Sequence, residues 1–155
     1  MPKIRVYLEA ILIPLGLGLL VSFFLKDSFQ YDHLVKPSLA PPGWIFPIVW
    51  TILYSLMGIS YAILKTKGLN NSEVKSIYYR QLIVNLIWPI LFFGAEQRGI
   101  AFILILVLVL LVIKMTTIFY AQNKLAGLLQ IPYLIWLLLA TYLNYQAFVL
   151  NYFLI

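Results

Sequence analysis

The sequence has no cysteine, one histidine and only five acidic residues in 155. Without cysteine, disulfides and thiolate-held metal sites are excluded. A single histidine and five scattered carboxylates supply no metal-ligand cluster and no nucleophile paired with a base, and no phosphate-binding glycine loop is present. Conventional hydrolase or transferase chemistry is therefore not expected, and neither is a tightly bound cofactor or metal. Charge is scarce too. Charged residues make up 10% of the chain against 63% hydrophobic ones, and the mean hydropathy is +0.96. A water-soluble domain of this length needs more polar surface, so the composition is that of a membrane protein.

A spanning helix needs about 20 apolar residues, and five such runs are present, at about 4–25, 44–64, 77–94, 100–121 and 125–150. Lys3 and Arg5 precede the first run as they would a secretory signal, but no small-residue cleavage site follows, so the run reads as a retained helix. The connections are too short for a soluble domain. The expected fold is all-α: a single five-helix membrane domain over 1–155, with a longer loop at 26–43.

The net charge of +6 does not point to nucleic acid, because the basic residues stand singly at helix ends. Lys3, Arg5, Lys65, Lys67, Lys75, Arg80 and Lys124 fall on one side of the membrane; Lys26, Lys36 and Arg98 fall on the other. The positive-inside rule then places the amino terminus in the cytoplasm. Lys114 remains inside the fourth run, with no acid within helical reach, and reads as a side chain snorkelling to the cytoplasmic end.

What the chain does have is concentrated. Residues 36–63 carry Lys36-Pro37-Ser38, Pro41-Pro42, Trp44, Pro47-Ile48-Val49-Trp50, Leu53-Tyr54-Ser55 and Met57-Gly58. Spanning lipid requires only Leu, Ile, Val and Ala; prolines and tryptophans in this density point to a shaped, aromatic-walled cavity. In the third run Gln81, Asn85, Trp88 and Phe92 are spaced by four, three and four, hence on one helical face, and in the fifth Trp136, Ala140 and Asn144 recur every fourth residue. Trp50 and Trp136 lie too deep for interfacial belts, where Trp44 belongs, and either pack the core or wall a site. Asn85 and Asn144 need partners in the apolar interior, and interhelical bonds are the commoner answer over ligand contact. The 26–43 loop holds His33, Asp27, Asp32 and three prolines, a composition suited to closing over a site. By contrast, 102–113 is almost uniformly Leu, Ile and Val and is expected to face lipid along much of its surface.

These landmarks resemble the translocator protein family, also called tryptophan-rich sensory proteins or peripheral benzodiazepine receptors. The likeness is densest in 36–58, then in Gln81, Asn85, Trp88-Pro89 and Phe92-Phe93-Gly94-Ala95, and again in Pro132-Tyr133-Leu134, Trp136, Ala140-Thr141 and Leu143-Asn144-Tyr145. The lack of a presequence or basic tail points to a bacterial member, in the cell membrane. The resemblance implies a five-helix homodimer that binds porphyrins such as protoporphyrin IX and drug-like isoquinoline carboxamide or benzodiazepine-type ligands. By similarity the ligand-binding residues are Tyr31 and Pro41 in the lid, with Trp50, Asn85, Trp88, Phe92, Trp136 and Ala140 in the helices. It also implies light-dependent porphyrin degradation in some members, which would give Trp50 and Trp136 a photochemical role, porphyrin being ligand or substrate. The family's sterol motif is incomplete, since Val149 stands where a basic residue is expected. A membrane receptor for porphyrin is thus the leading expectation; a transporter of porphyrin or another amphiphile and a ligand sensor acting on a partner protein are the alternatives.

Overall fold

The computed structural model describes residues 2–27 and 34–152. Its helices are α1 (Lys3–Phe24), α2 (Ile45–Thr66), α3 (Ser72–Pro89), which runs on into a π-helical turn (Ile90–Gly94), α4 (Arg98–Gln122), the short α5 (Lys124–Leu128) and α6 (Ile131–Tyr152). Five segments are long and apolar enough to cross a membrane, the last comprising α5 and α6 together. The protein is therefore an integral membrane bundle of five spans.

Two boundaries differ from those read in the sequence, each for a local reason. The third span starts at Ser72 rather than 77, because the Asn71 side chain accepts a hydrogen bond from the Val74 amide at 2.9 Å and Glu73 sits in the positive first turn. The fifth span is not continuous: Asn123 caps α5 through the Ala126 amide at 3.1 Å, and a turn at Leu129-Gln130 separates α5 from α6. Pro132 follows that turn and has no N–H to extend the ladder backwards.

Pro89 has a comparable effect on α3. With its N–H missing, the helix widens, and the Ala95 amide reaches back five residues to the Ile90 carbonyl at 2.8 Å. Glu96, at φ 54°, then turns the chain into α4.

α1 packs along α2, α3 along α4, and α4 also contacts α5 and α6. The α1–α2 approach depends on Gly58, where any Cβ would collide with the backbone of Ala10 and Ile11. α4 is two-sided: Ala101, Ile105, Leu108, Val112, Met115 and Phe119 form a buried stripe, while Ile103, Leu110 and Ile113 are exposed as the uniform apolar sequence anticipated. Lys114 is exposed with them.

Candidate functional site

Toward the end of the bundle where α2 begins and α3 finishes, the helices part around a cavity of about 580 Å³. Its volume lies in the range of small-molecule sites, roughly 300 to 1,000 Å³. α2 contributes Phe46, Pro47, Trp50, Thr51 and Tyr54, successive turns of one face; α3 contributes Asn85, Leu86, Trp88, Pro89 and Phe93; α6 contributes Trp136 and Ala140; and Leu15, Gly18, Leu19 and Ser22 of α1 close the remaining side. Gly43 stands at the loop edge.

The walls are aromatic and held at angles. Phe46 and Trp136 are steeply inclined at 5.6 Å between centroids, Trp50 lies 5.5 Å from Tyr54, and Trp50 and Tyr133 are inclined at 72° over 6.5 Å. Aromatic walls of this kind suit a flat apolar ligand, on which rings stack well. Tyr54 fits because Gly18 opposite has no side chain; a Cβ there would come within 2.6 Å of the tyrosine ring.

Below the rings runs a relay of buried hydrogen bonds. Tyr54 donates to Asn85 Oδ1 at 2.5 Å, Asn85 Nδ2 donates to the Tyr133 hydroxyl at 2.7 Å, Tyr133 donates to Gln81 Oε1 at 2.9 Å, and Gln81 Nε2 reaches Met57 Sδ at 3.3 Å. Asn85 is thus tied to two helices at once, the interhelical role that an amide in an apolar interior commonly takes. It lines the cavity as anticipated, but with its amide already engaged. Trp88 is similarly fixed, its indole N–H donating to Asn144 Oδ1 at 2.8 Å, while Asn144 Nδ2 holds the Arg98 carbonyl at 2.9 Å. Trp136 differs: its Nε1 is buried and has no partner among the described residues, so one donor in the wall is uncommitted.

The cavity therefore brings together Trp50, Asn85, Trp88, Trp136 and Ala140. Phe92 does not line it. It stacks on Trp88 at 5.1 Å and lines a smaller adjoining pocket of about 40 Å³ with Lys36, Pro37, Ala40 and Asn144. The reason is the π-helical turn, which changes the helical phase after Pro89 so that Phe93, rather than Phe92, meets the cavity. Pro41 lies in the loop but lines neither space, Pro37, Ala40 and Gly43 standing there instead. Tyr31 and His33 lie outside the described residues. Trp44 is exposed at the start of α2, in keeping with a belt position. Among the described residues no group of three or more His, Cys, Asp or Glu side chains could hold a metal ion.

Several wall residues were not singled out from the sequence. Phe46 and Tyr54 were within reach, being one turn either side of Trp50 on its own face. The α1 wall was not, since a helix of Leu, Gly and Ser at these positions reads equally as packing.

The middle of the loop is fastened to α6. Asn151 accepts from the Val35 amide and donates to the Val35 carbonyl, both at 3.2 Å.

A profile of the TspO/MBR family matches residues 10–150. A tryptophan-rich protein TspO of Archaeoglobus fulgidus is 39% identical over 145 residues, covering 92% of this chain and 94% of the relative. The tryptophan-rich sensory protein of Cereibacter sphaeroides is 39% identical over 129 residues, covering 83% and 80% respectively. The human translocator protein is 40% identical over 119 residues, covering 74% and 70%. With the helix count, the walled cavity and these likenesses in agreement, the chain belongs to the TspO/MBR family.

Proposed function

We propose that this protein is a membrane receptor that binds a flat, largely apolar tetrapyrrole of the protoporphyrin IX type in the tryptophan-lined cavity. One observation carries the reading: a space of about 580 Å³ walled by Phe46, Trp50, Tyr54, Trp88 and Trp136. Burial supplies affinity and the indole faces supply orientation. Isoquinoline carboxamide and benzodiazepine-type molecules, also flat and apolar, would compete for the same walls. In light and oxygen, an excited porphyrin held against Trp50 and Trp136 has oxidisable indoles within its own cavity, which gives the degradation reading its chemistry. The fastening of Val35 by Asn151 at 3.2 Å favours a sensor as the second reading, since ligand that displaces the loop breaks an identifiable contact. The names of the sensory relatives support that class.

We place the protein in the cell membrane with its amino terminus in the cytoplasm, and expect a homodimer. The absence of native cysteine makes the orientation easy to examine: Ser38→Cys should be labelled from outside and Ser72→Cys from the cytoplasm, and the reverse pattern would overturn it. For binding, the purified protein is titrated with protoporphyrin IX in the dark, following tryptophan fluorescence. Saturable quenching is expected, and its absence would remove the porphyrin reading. Illumination of the complex then separates the roles. Bleaching faster than free porphyrin indicates chemistry, and an unchanged rate leaves a receptor or sensor.

A further inference from the structure

Arg98 is a cation in a place that does not favour one. Its side chain is more than nine-tenths buried, at 8% exposure, and its Nε is enclosed with no hydrogen-bond partner among the described residues. Of the five N–H donors of a guanidinium, one is engaged, with Nη1 at 3.5 Å from the Tyr152 hydroxyl, the outer limit for such a bond. The Tyr152 hydroxyl donates to the Glu96 carbonyl and accepts this contact, so it offers the guanidinium a neutral partner and no charge. Glu96 offers that backbone oxygen while its side chain faces outward, and the one ion pair among the described residues, Arg5–Glu9, belongs to the opposite end of the bundle. Arg98 is also the first residue of α4, so the positive end of a 25-residue helix adds to its charge. A buried charge is normally paired, because desolvation is otherwise uncompensated.

The position of this cation relative to the cavity identifies what can pair with it. The guanidinium lies over the Phe92 ring at 5.3 Å, and Phe92 with Asn144 walls the adjoining pocket. Asn144 in turn holds the Arg98 carbonyl. The pocket and the main cavity have Phe46, Trp88, Phe93 and Ala140 in common, so the two spaces adjoin across these side chains; Arg98 lines neither and lies directly behind Phe92. A ligand body stacked in the cavity whose short flexible arm passes Trp88 thus meets Phe92, and a shift of that ring brings the arm to Arg98.

We propose that Arg98 is the acid-recognition residue of this site, and that its ligand is an amphiphile with a flat apolar body and a carboxylate on a short aliphatic arm. This rests on the tetrapyrrole reading above and sharpens it: the acid form of the ligand, not its ring alone, is selected. Charge-assisted pairing with a guanidinium is strong and directional, so losing it costs about tenfold or more in affinity.

The experiment compares protoporphyrin IX with its dimethyl ester, titrated in the dark in an uncharged detergent against wild type, Arg98→Gln and Arg98→Lys. Wild type should bind the acid at least roughly tenfold more tightly than the ester. Arg98→Gln should lose that preference by weakening the acid alone, and Arg98→Lys should recover part of it. Equal affinity for acid and ester in wild type overturns the proposal without any variant having to fold. So does equal weakening of both ligands by Arg98→Gln, which is the signature of a structural role, and so does a preference that survives in the variant. If adding an anionic phospholipid abolishes the preference in wild type, the oxyanion on Arg98 is a lipid phosphate and the ligand assignment falls. If neither porphyrin quenches saturably, it is the tetrapyrrole reading that fails. The arginine is then judged with a fluorescent polyene fatty acid and its methyl ester, for which the same ratios are expected and the same outcomes overturn it.

Discussion

At the end of the bundle where α2 finishes and α3 begins, Tyr61 lies flat on Tyr78, 4.3 Å between centroids, with Phe119 beyond it; at the other end Trp50, Trp88 and Trp136 stand around about 580 Å³ of space. Both ends are rich in aromatic rings, so ring content does not decide which is filled. The residues opposite the rings do. Tyr78 lies against the rings of Tyr61 and Phe119, in a core cluster that includes Leu64, Leu82 and Met115, all at most 2% exposed. The cavity rings face Gly18, Gly43 and Ala140, and Pro47, Pro89 and the π-helical turn keep the surrounding helices from closing in. One end is a packed foundation; the other is a vessel held open by small residues and prolines.

The largest test of that contrast is in the filled end. Tyr78→Ala should destabilise the protein by about 3 to 5 kcal/mol, the range for removing a buried ring, whereas Trp136→Ala should cost clearly less because its ring already borders space. Thermal unfolding in detergent measures both, and equal losses would mean that the cavity end is as tightly packed as the other. Next is the relay beneath the cavity. Asn85→Leu strands the Tyr54 hydroxyl, leaves that of Tyr133 with Gln81 alone, and should cost about 1 to 3 kcal/mol, read in the same melts. A neutral result would show that the relay does not join α2, α3 and α6.

Filling the vessel should separate stability from binding. Ala140→Phe puts a ring into the cavity and is expected to weaken protoporphyrin IX by roughly tenfold, about 1.4 kcal/mol, with little change in melting temperature. If quenching titrations are unaltered, porphyrin sits elsewhere. The smallest expected effect is chemical. Trp50→Phe and Trp136→Phe preserve an aromatic wall and should shift affinity by no more than about 0.5 to 1.5 kcal/mol, yet slow the light-driven loss of bound porphyrin absorbance. Bleaching at the wild-type rate in both, with binding intact, would deny the indoles a photochemical part.

Much of this was legible in the chain. Hydropathy alone located five spans, and the four-residue spacings put Asn85 with Trp88 and Trp136 with Ala140 on faces that do meet at the cavity. Phe92 faces the adjoining pocket instead of the main cavity because helical spacing assumes a constant phase, which the π-helical turn after Pro89 changes. The start of α3 was missed because hydropathy weighs lipid contact, whereas the Asn71 cap is a hydrogen-bond signal in a polar stretch. Nothing in the sequence matched Asn85 with Tyr54 and Tyr133, since each partner lies on a different helix.

The sequence by itself determined that this chain is a helical membrane protein and which residue types its site would use, because the cost of exposing backbone and charge to lipid leaves few alternatives. The tertiary structure alone decided where those helices part, which amides are consumed in holding them together, and that Trp136 Nε1 and Arg98 Nε are left without a hydrogen-bond partner among the described residues. Those outcomes depend on register between helices distant in sequence. Register is fixed by packing volume and hydrogen-bond reach across the bundle, and neither is a property of any one segment.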